Sequence, residues 1–327
     1  MRELTYTTAA REALDEEMER DPTIFVVGEG IGARGGNFNT TVGLYDKYGP
    51  ERLRDTPIVE RGFIGMCTGA AMTGTRPVVD FMFLDFALDG MGEMINQTAK
   101  MQYMSSGRLT MPMVMRGAIG VGGASATHHS GNYYPFFAHI PGWRVVLPTT
   151  PRDAKGFMKT ALRGDDPVLF LEHKLLLNVK GEVPDVDADE CLPFGQAAVR
   201  REGSDVTVVA LTIMVQRSLE AAELLAKEGI SVEVIDPRTV APLDVDTIVA
   251  SVHKTGRLLV VDEDFAPCGI GAEIAAQVME RGFDDLDAPV RRLNGLHTPV
   301  PYSPPLEAAV TLNTQQIAEA IRALVAE

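Results

Sequence analysis

Apolar and polar positions along this chain follow two periods. Short apolar runs bounded by turn residues recur at 23–28 (TIFVVG), 77–83 (PVVDFMF), 111–117 (MPMVMRG), 143–148 (WRVVLP) and 167–172 (PVLFLE). Runs of that kind fit strands buried on both faces of a parallel sheet. Between them lie stretches with helical spacing at 87–105 and 150–164, the second opening with Thr150 as N-cap and Pro151 in the first turn. The first 21 residues predict an amphipathic helix, with Ala9, Ala10, Ala13, Leu14 and Met18 on one stripe. In the second half, SDVTVVAL, ISVEVID and GRLLVVDED read as strands. QRSLEAAELLAKEG, DVDTIVASVHKTG and GIGAEIAAQVMERG read as the helices that connect them. The segment 178–195 (NVKGEVPDVDADECLPFG) is acidic, carries two prolines and lacks periodicity, which places a domain boundary there. The pattern as a whole predicts an α/β protein of two doubly wound domains.

A length of 327 residues agrees with two domains, and 45% apolar with 23% charged residues is an ordinary globular composition. The formal charge of −15 makes nucleic acid and anionic membranes poor partners. Cys67, Cys191 and Cys268 are odd in number and far apart, which suits buried thiols in a reducing compartment. The N-terminus is too acidic for a signal or transit peptide, and no apolar run reaches the roughly 18 residues of a membrane span, so a soluble cytoplasmic protein is expected.

Several stretches could carry chemistry. In DTPIVERGF (55–63), TPIV reads as a short strand running into a helix of small residues, FIGMCTGAAMTG. Glu60 then stands where a carboxylate has lost much of its water, and it either pairs with Arg61 or another arginine, or keeps its proton. The run from Gly30 to Gly35 fits GxGxxG after a strand, which raises an NAD-binding oxidoreductase as an alternative. Against it, a Gly-interrupted segment and the charged ERLRDTP follow where a helix and an apolar strand are required; a glycine-rich active-site loop or a plain turn is the other reading. His128 and His129 lie in a glycine-rich loop after MPMVMRG, either as satisfied loop histidines or as a proton carrier at the mouth of a parallel sheet. Phe81, Phe83 and Phe86 read as core, and HTPVPYSPPLE (297–307) as an extended, packed surface arm. GxSxG, HExxH, Walker and CxxC motifs are absent.

In order along nearly the whole chain stand DTPIVERGFIG, RPVVDFMFLDF, INQTAKMQY, HHSG with AHIPGWRVVLPTTPRDAKG, DDPVLFLEHK, EVIDPRT, GRLLVVDED and HTPVPYSPPLE. Together they resemble the β subunit of the thiamine-diphosphate-dependent first component of 2-oxo acid dehydrogenase complexes, of the acetoin or pyruvate dehydrogenase type. The resemblance implies a pyrimidine-binding, transketolase-like domain over residues 1–185 and a transketolase C-terminal-like domain over 186–327. It makes Glu60 the glutamate that hydrogen-bonds N1′ of the aminopyrimidine, favouring the tautomer whose exocyclic nitrogen removes the thiazolium C2 proton. It implies that His129, rather than His128, assists reaction intermediates or acyl transfer to a lipoyl group, and that Phe86 packs near the pyrimidine. A structural potassium ion on backbone carbonyls would match Met113, Ala161, Leu162, Gly164 and Asp166. No GDG motif is present, so the resemblance implies half a site: an α subunit would bring the diphosphate and Mg2+ in an α2β2 heterotetramer docked on a lipoyl acyltransferase core. A catalytically silent bracing subunit is the remaining alternative. Gly92-Glu93 replaces the Asp-Gln of many relatives and LLLNVKG lacks an aromatic, which leaves the substrate open among acetoin, pyruvate and other 2-oxo acids or ketones.

Overall fold

A computed structural model describes residues 1–327. The chain divides into two compact units, one formed by Met1–Ile119 with Phe136–Phe194, the other by Gly120–Pro135 with Gly195–Glu327.

The first unit contains β1 (Arg2–Thr5), α1 (Tyr6–Arg20), β2 (Ile24–Gly28), α2 (Leu44–Tyr48), β3 (Leu53–Asp55), α3 (Glu60–Met72), β4 (Arg76–Phe83), α4 (Met101–Met104) and β5 (Val114–Ile119). After α5 (Tyr134–Ala138) come β6 (Arg144–Val146), α6 (Pro151–Arg163), β7 (Val168–His173) and β8 (Lys180–Val183). Its parallel strands run in the order β6-β7-β5-β4-β2-β3. Every residue of β5 and β7 is buried, as continuous apolar runs predict for central strands. Helix α6 starts where Thr150 accepts from the Asp153 amide, with Pro151 in the first turn. Ile24, Val26, Val78, Val114, Phe157 and Phe170 belong to the core beneath α1 and α6.

Four expectations are corrected here. TPIV is not a strand: Ile58 is 81% exposed, and the strand is Leu53–Asp55, three residues earlier. It lies at the sheet edge, where only Leu53 points inward and charged neighbours cost nothing. The helix expected over 87–105 is broken into a 3-10 turn (Leu84–Gly90), a π-helix (Glu93–Thr98) and the short α4. Part of the segment read as aperiodic, 178–195, forms β8 and pairs antiparallel with β1. Its remainder stays with the first unit: Leu192 and Phe194 pack on that core, Phe157 stacks on Phe194 at 5.8 Å, and Asp189 binds Lys159 at 2.7 Å and Arg163 at 2.5 Å. The chain therefore leaves this unit after Phe194.

The second unit contains β9 (Ala198–Arg201), β10 (Val206–Ala210), α7 (Met214–Ala226), β11 (Val232–Asp236), β12 (Thr239–Ala241), α8 (Val245–Thr255) and β13 (Leu258–Phe265). It ends with α9 (Ile270–Gly282), β14 (Arg291–Gly295), α10 (Pro304–Val310) and α11 (Thr314–Val325). The five-stranded sheet has the order β14-β13-β10-β11-β9, with β9 the antiparallel edge. The stretch 297–307 is not extended throughout, because Pro304 and Pro305 occupy the first turn of α10, a position where a missing N–H is no loss. Helix α11 closes the unit behind an Asn313–Gln316 capping box, burying Ile317, Ala318, Ile321 and Leu324. No helix is long and apolar enough to cross a membrane.

Candidate active site

In the first unit the chain passes from β2 outward to β3, then returns across to β4 on the other side of β2. The order reverses between β2 and β4, and ligands of doubly wound sheets collect outside the carboxyl ends of strands at such a reversal. Glu29 follows the end of β2, Glu60 opens α3, and Phe86 lies just past β4. Three residues far apart in sequence thus lie just past the carboxyl ends of β2 and β4 or at the start of α3 between them.

Glu60 occupies the first helical position of α3 behind Val59, where unsatisfied backbone N–H groups favour a negative charge. It is 8% exposed and takes part in no ion pair. Arg61, the partner that the bland reading required, is exposed and turns instead to Glu93, with Nε 3.4 Å from a carboxylate oxygen. The Glu29 carboxyl is pushed up, first by burial and then by the charge of Glu60. The two carboxyls therefore stand close enough for the charge of Glu60 to act on Glu29. Glu29, between the strand 23–28 and the Gly30–Gly35 motif, is not singled out by the sequence reading; the missed signal is an acid at the carboxyl end of a buried parallel strand.

The glycine-rich loop after β2 packs against the end of β4. Gly35 and Gly36 have φ of 82° and 79°, so the chain can turn tightly there. Thr40 donates to Asp80 of β4 at 2.8 Å, Asn37 reaches the sulfur of Met82, and Phe38 packs edge-on against Phe83 at 5.2 Å. No helix opens inside the glycines; the next, α2, begins at Leu44 and has five residues. A dinucleotide fingerprint needs its helix there, so the NAD alternative is withdrawn. Phe86 is half-buried and packs edge-on against Phe83 at 5.9 Å, not in the deep core expected for it on pattern alone. A bulge re-aims the end of β4: the register shifts between Asp80 and Phe83, and Met82 has φ 69°.

Met113, Ala161, Leu162, Gly164 and Asp166 lie where β5, α6 and β7 begin or end. The Leu162 and Gly164 carbonyls accept from Arg76 at 3.3 and 2.5 Å, the Met113 carbonyl accepts from the Val168 amide at 2.9 Å, and the Asp166 carboxylate binds Arg144 at 2.7 Å. Two of these carbonyls thus already face the guanidinium of Arg76, each with a second lone pair remaining. No three His, Cys, Asp or Glu side chains cluster in a way that could hold a metal ion.

In the second unit, His128 is exposed and His129 half-buried. His129 Nδ1 lies 3.2 Å from the Ser125 carbonyl. A carbonyl only accepts, so Nδ1 carries the hydrogen and Nε2 is the basic nitrogen of the neutral ring. That fixed tautomer separates His129 from its neighbour. The loop around it is strained, with Ala124 at φ 53° and Ala126 at φ 61°, ψ −171°.

Comparison with known proteins shows the family. Residues 2–180 match the family model described as transketolase, pyrimidine binding domain, and residues 195–317 match transketolase, C-terminal domain. A pyruvate dehydrogenase E1 component subunit beta of Dictyostelium discoideum is 45% identical over 98% of this chain and 91% of its own. An acetoin:2,6-dichlorophenolindophenol oxidoreductase subunit beta of Cupriavidus necator is 44% identical over 98% and 97%. A solved split-gene transketolase, an inactive beta4 tetramer, superposes with a TM-score of 0.80 over 99% of both chains at 24% identity, which speaks for the fold alone. With transketolase-type domains in this order and such relatives along almost its full length, the chain belongs to the family of β subunits of the thiamine-diphosphate-dependent first components of 2-oxo acid and acetoin dehydrogenases.

Proposed function

We propose that this chain supplies the pyrimidine half of a thiamine diphosphate site and works with an α subunit in an α2β2 heterotetramer. The observation that carries the reading is a buried carboxyl, Glu60, at a helix start on a sheet's reversal point, with no cation to neutralise it. A hydrogen-bond partner would relieve that situation, and a pyrimidine ring nitrogen, whose lone pair accepts when the carboxyl donates, is such a partner. Bound thiamine diphosphate supplies the electron sink for breaking a carbon–carbon bond next to a carbonyl. The residues here do the rest. Glu60 shares a proton with the pyrimidine N1′ position; Phe86 offers a ring edge for packing; His129 Nε2 is the basic nitrogen for moving a proton on the substrate side.

The reaction is oxidative decarboxylation of a 2-oxo acid of the pyruvate type, or cleavage of acetoin, with the acyl group passed to a lipoyl acyltransferase core. The diphosphate and Mg2+ fall to the α subunit, since this chain has no GDG motif. Exposed apolar side chains, among them Ile58 beside Glu60 and Tyr103 and Met104 of α4, give a partner subunit something to cover. The carbonyl set of Met113, Ala161, Leu162, Gly164 and Asp166 is proposed as a structural potassium site.

Reconstitution tests this reading. The chain alone with cofactor and Mg2+ should not reduce an artificial electron acceptor, whereas co-purified with its α partner it should, given pyruvate or acetoin. Turnover by the isolated chain would refute the half-site.

A further inference from the structure

Up to Tyr133, where α5 follows, the segment Gly120–Pro135 that carries His129 has a single 3-10 turn, Thr127–His129, as its regular structure. Without tethers, a glycine-rich stretch of this kind would sample many conformations. Besides the bond from the Thr127 hydroxyl to the Val300 carbonyl at 2.9 Å, its side-chain tethers within the second unit are acidic. Glu263 of β13 is 2% exposed, and one of its oxygens accepts from the Val121 amide at 2.7 Å and from the Asn132 side-chain amide at 3.4 Å. One carboxylate therefore grips the loop near both ends. Its other oxygen accepts from the Thr311 hydroxyl at 3.0 Å, which ties the grip to the turn between α10 and α11. Glu307 of α10, 8% exposed, accepts from the Ala124 amide at 3.3 Å, and its second oxygen is buried without a partner. Between these grips, Ala124 and Ala126 take positive φ values that alanine avoids unless the surroundings impose them. The same short stretch supplies the carbonyl that orients His129.

We infer that Glu263 and Glu307 are positioning residues, a two-point clamp that holds the His129 loop in a conformation it would not adopt alone. The inference rests on the role proposed above for His129. A carboxylate suits the Glu263 position because three donors from two segments converge on it, and a carboxylate is acceptor-only. Glu307 receives a single donor, so an amide can replace it: the oxygen of glutamine can meet the Ala124 amide while its nitrogen takes the unpartnered side.

The test uses the assembled enzyme. Glu307→Ala should lower kcat by about 10-fold or more with little change in KM, a loss like that from removing an interaction needed only at the transition state. Glu307→Gln should return most of that turnover, and Glu307→Ala should cost nothing further in a His129→Ala background. Hydrogen–deuterium exchange over 121–132 should quicken in Glu307→Ala while the sheet amides stay unchanged. Glu263→Ala should show the same pattern more strongly; if it fails to fold, the Glu307 pair still decides. Unchanged exchange, or wild-type kcat in Glu307→Ala while His129→Ala is impaired, overturns the clamp. Wild-type turnover in His129→Ala overturns instead the role of the histidine, and with it the purpose assigned to the clamp.

Discussion

Glu60 and Arg61 are adjacent in sequence and point to opposite duties, one buried at the mouth of the sheet, the other exposed and paired with Glu93. Glu60→Gln keeps the shape and removes the exchangeable proton. Turnover of the reconstituted enzyme should fall by at least about 100-fold, the scale of a positioned proton-transfer group, with heterotetramer assembly unchanged by size-exclusion chromatography. Near-normal turnover would reduce Glu60 to a structural acid. Cys67 offers a second check: burial pushes its thiol up to about 12, while Cys191 and Cys268 are exposed. Ellman's reagent at pH 8 should therefore titrate two thiols in the folded free chain and a third after unfolding. The expectation that all three are buried fails because a cysteine count speaks to redox state, and not to where each side chain lies. The burial of Glu60 was legible ahead of a helix of small residues, whereas its duty at a pyrimidine came only from the resemblance and not from the residues around it. Glu29 was hidden by the glycines around it.

Among the elements, β5 and β7 carry an ion pair inside the first unit. Arg116 and Glu172 have side chains 1% and 4% exposed and meet through several contacts of 2.6–2.8 Å. Burial pushes the Glu172 carboxyl up, and the guanidinium beside it works against that. Glu172→Ala would strand a buried positive charge and should destabilise the chain by about 3–5 kcal/mol in urea unfolding. Adding Arg116→Met should restore most of that loss; an unchanged midpoint in the single variant would show the charge is relieved elsewhere. Where β5, α6 and β7 meet, the proposed potassium site predicts a higher thermal midpoint in KCl than in NaCl at equal ionic strength, and no difference would remove the site. The parallel strands were legible because burial on both faces leaves a continuous apolar run, as in 167–172. Strand β3 was not, since an edge strand needs only Leu53 inward, and the Pro-rich start of α10 hid a helix whose first turn has no use for N–H groups.

At the scale of the molecule, a chain of charge −15 already works against its own folding through repulsion, and the second unit adds a concentrated instance. Asp262, Glu263 and Asp264 are consecutive at the end of β13, and Tyr134 donates to Asp262. Burial raises Asp262 to about 6 against the pull of the Tyr134 hydroxyl, and burial together with the Asp262 charge raises Asp264 to about 7. Carboxyls raised on folding bind protons more tightly in the folded chain, so below the ordinary aspartate value of 3.8 they cost no stability. From there upward the unfolded chain ionises first, the stability difference moves against the fold, and the loss is complete above about pH 7. Asp264→Asn removes one of these charges without removing the acceptor of the Phe265 amide. It should leave the unfolding midpoint of the chain almost unchanged at pH 4 and stabilise it by about 1–2 kcal/mol at pH 8, a gain that grows between those limits. A gain of the same size at both pH values would mean that repacking, and not relief of a buried charge, stabilises the variant. No gain at pH 8 would mean that solvent reaches Asp264 and the acids at the end of β13 ionise without cost.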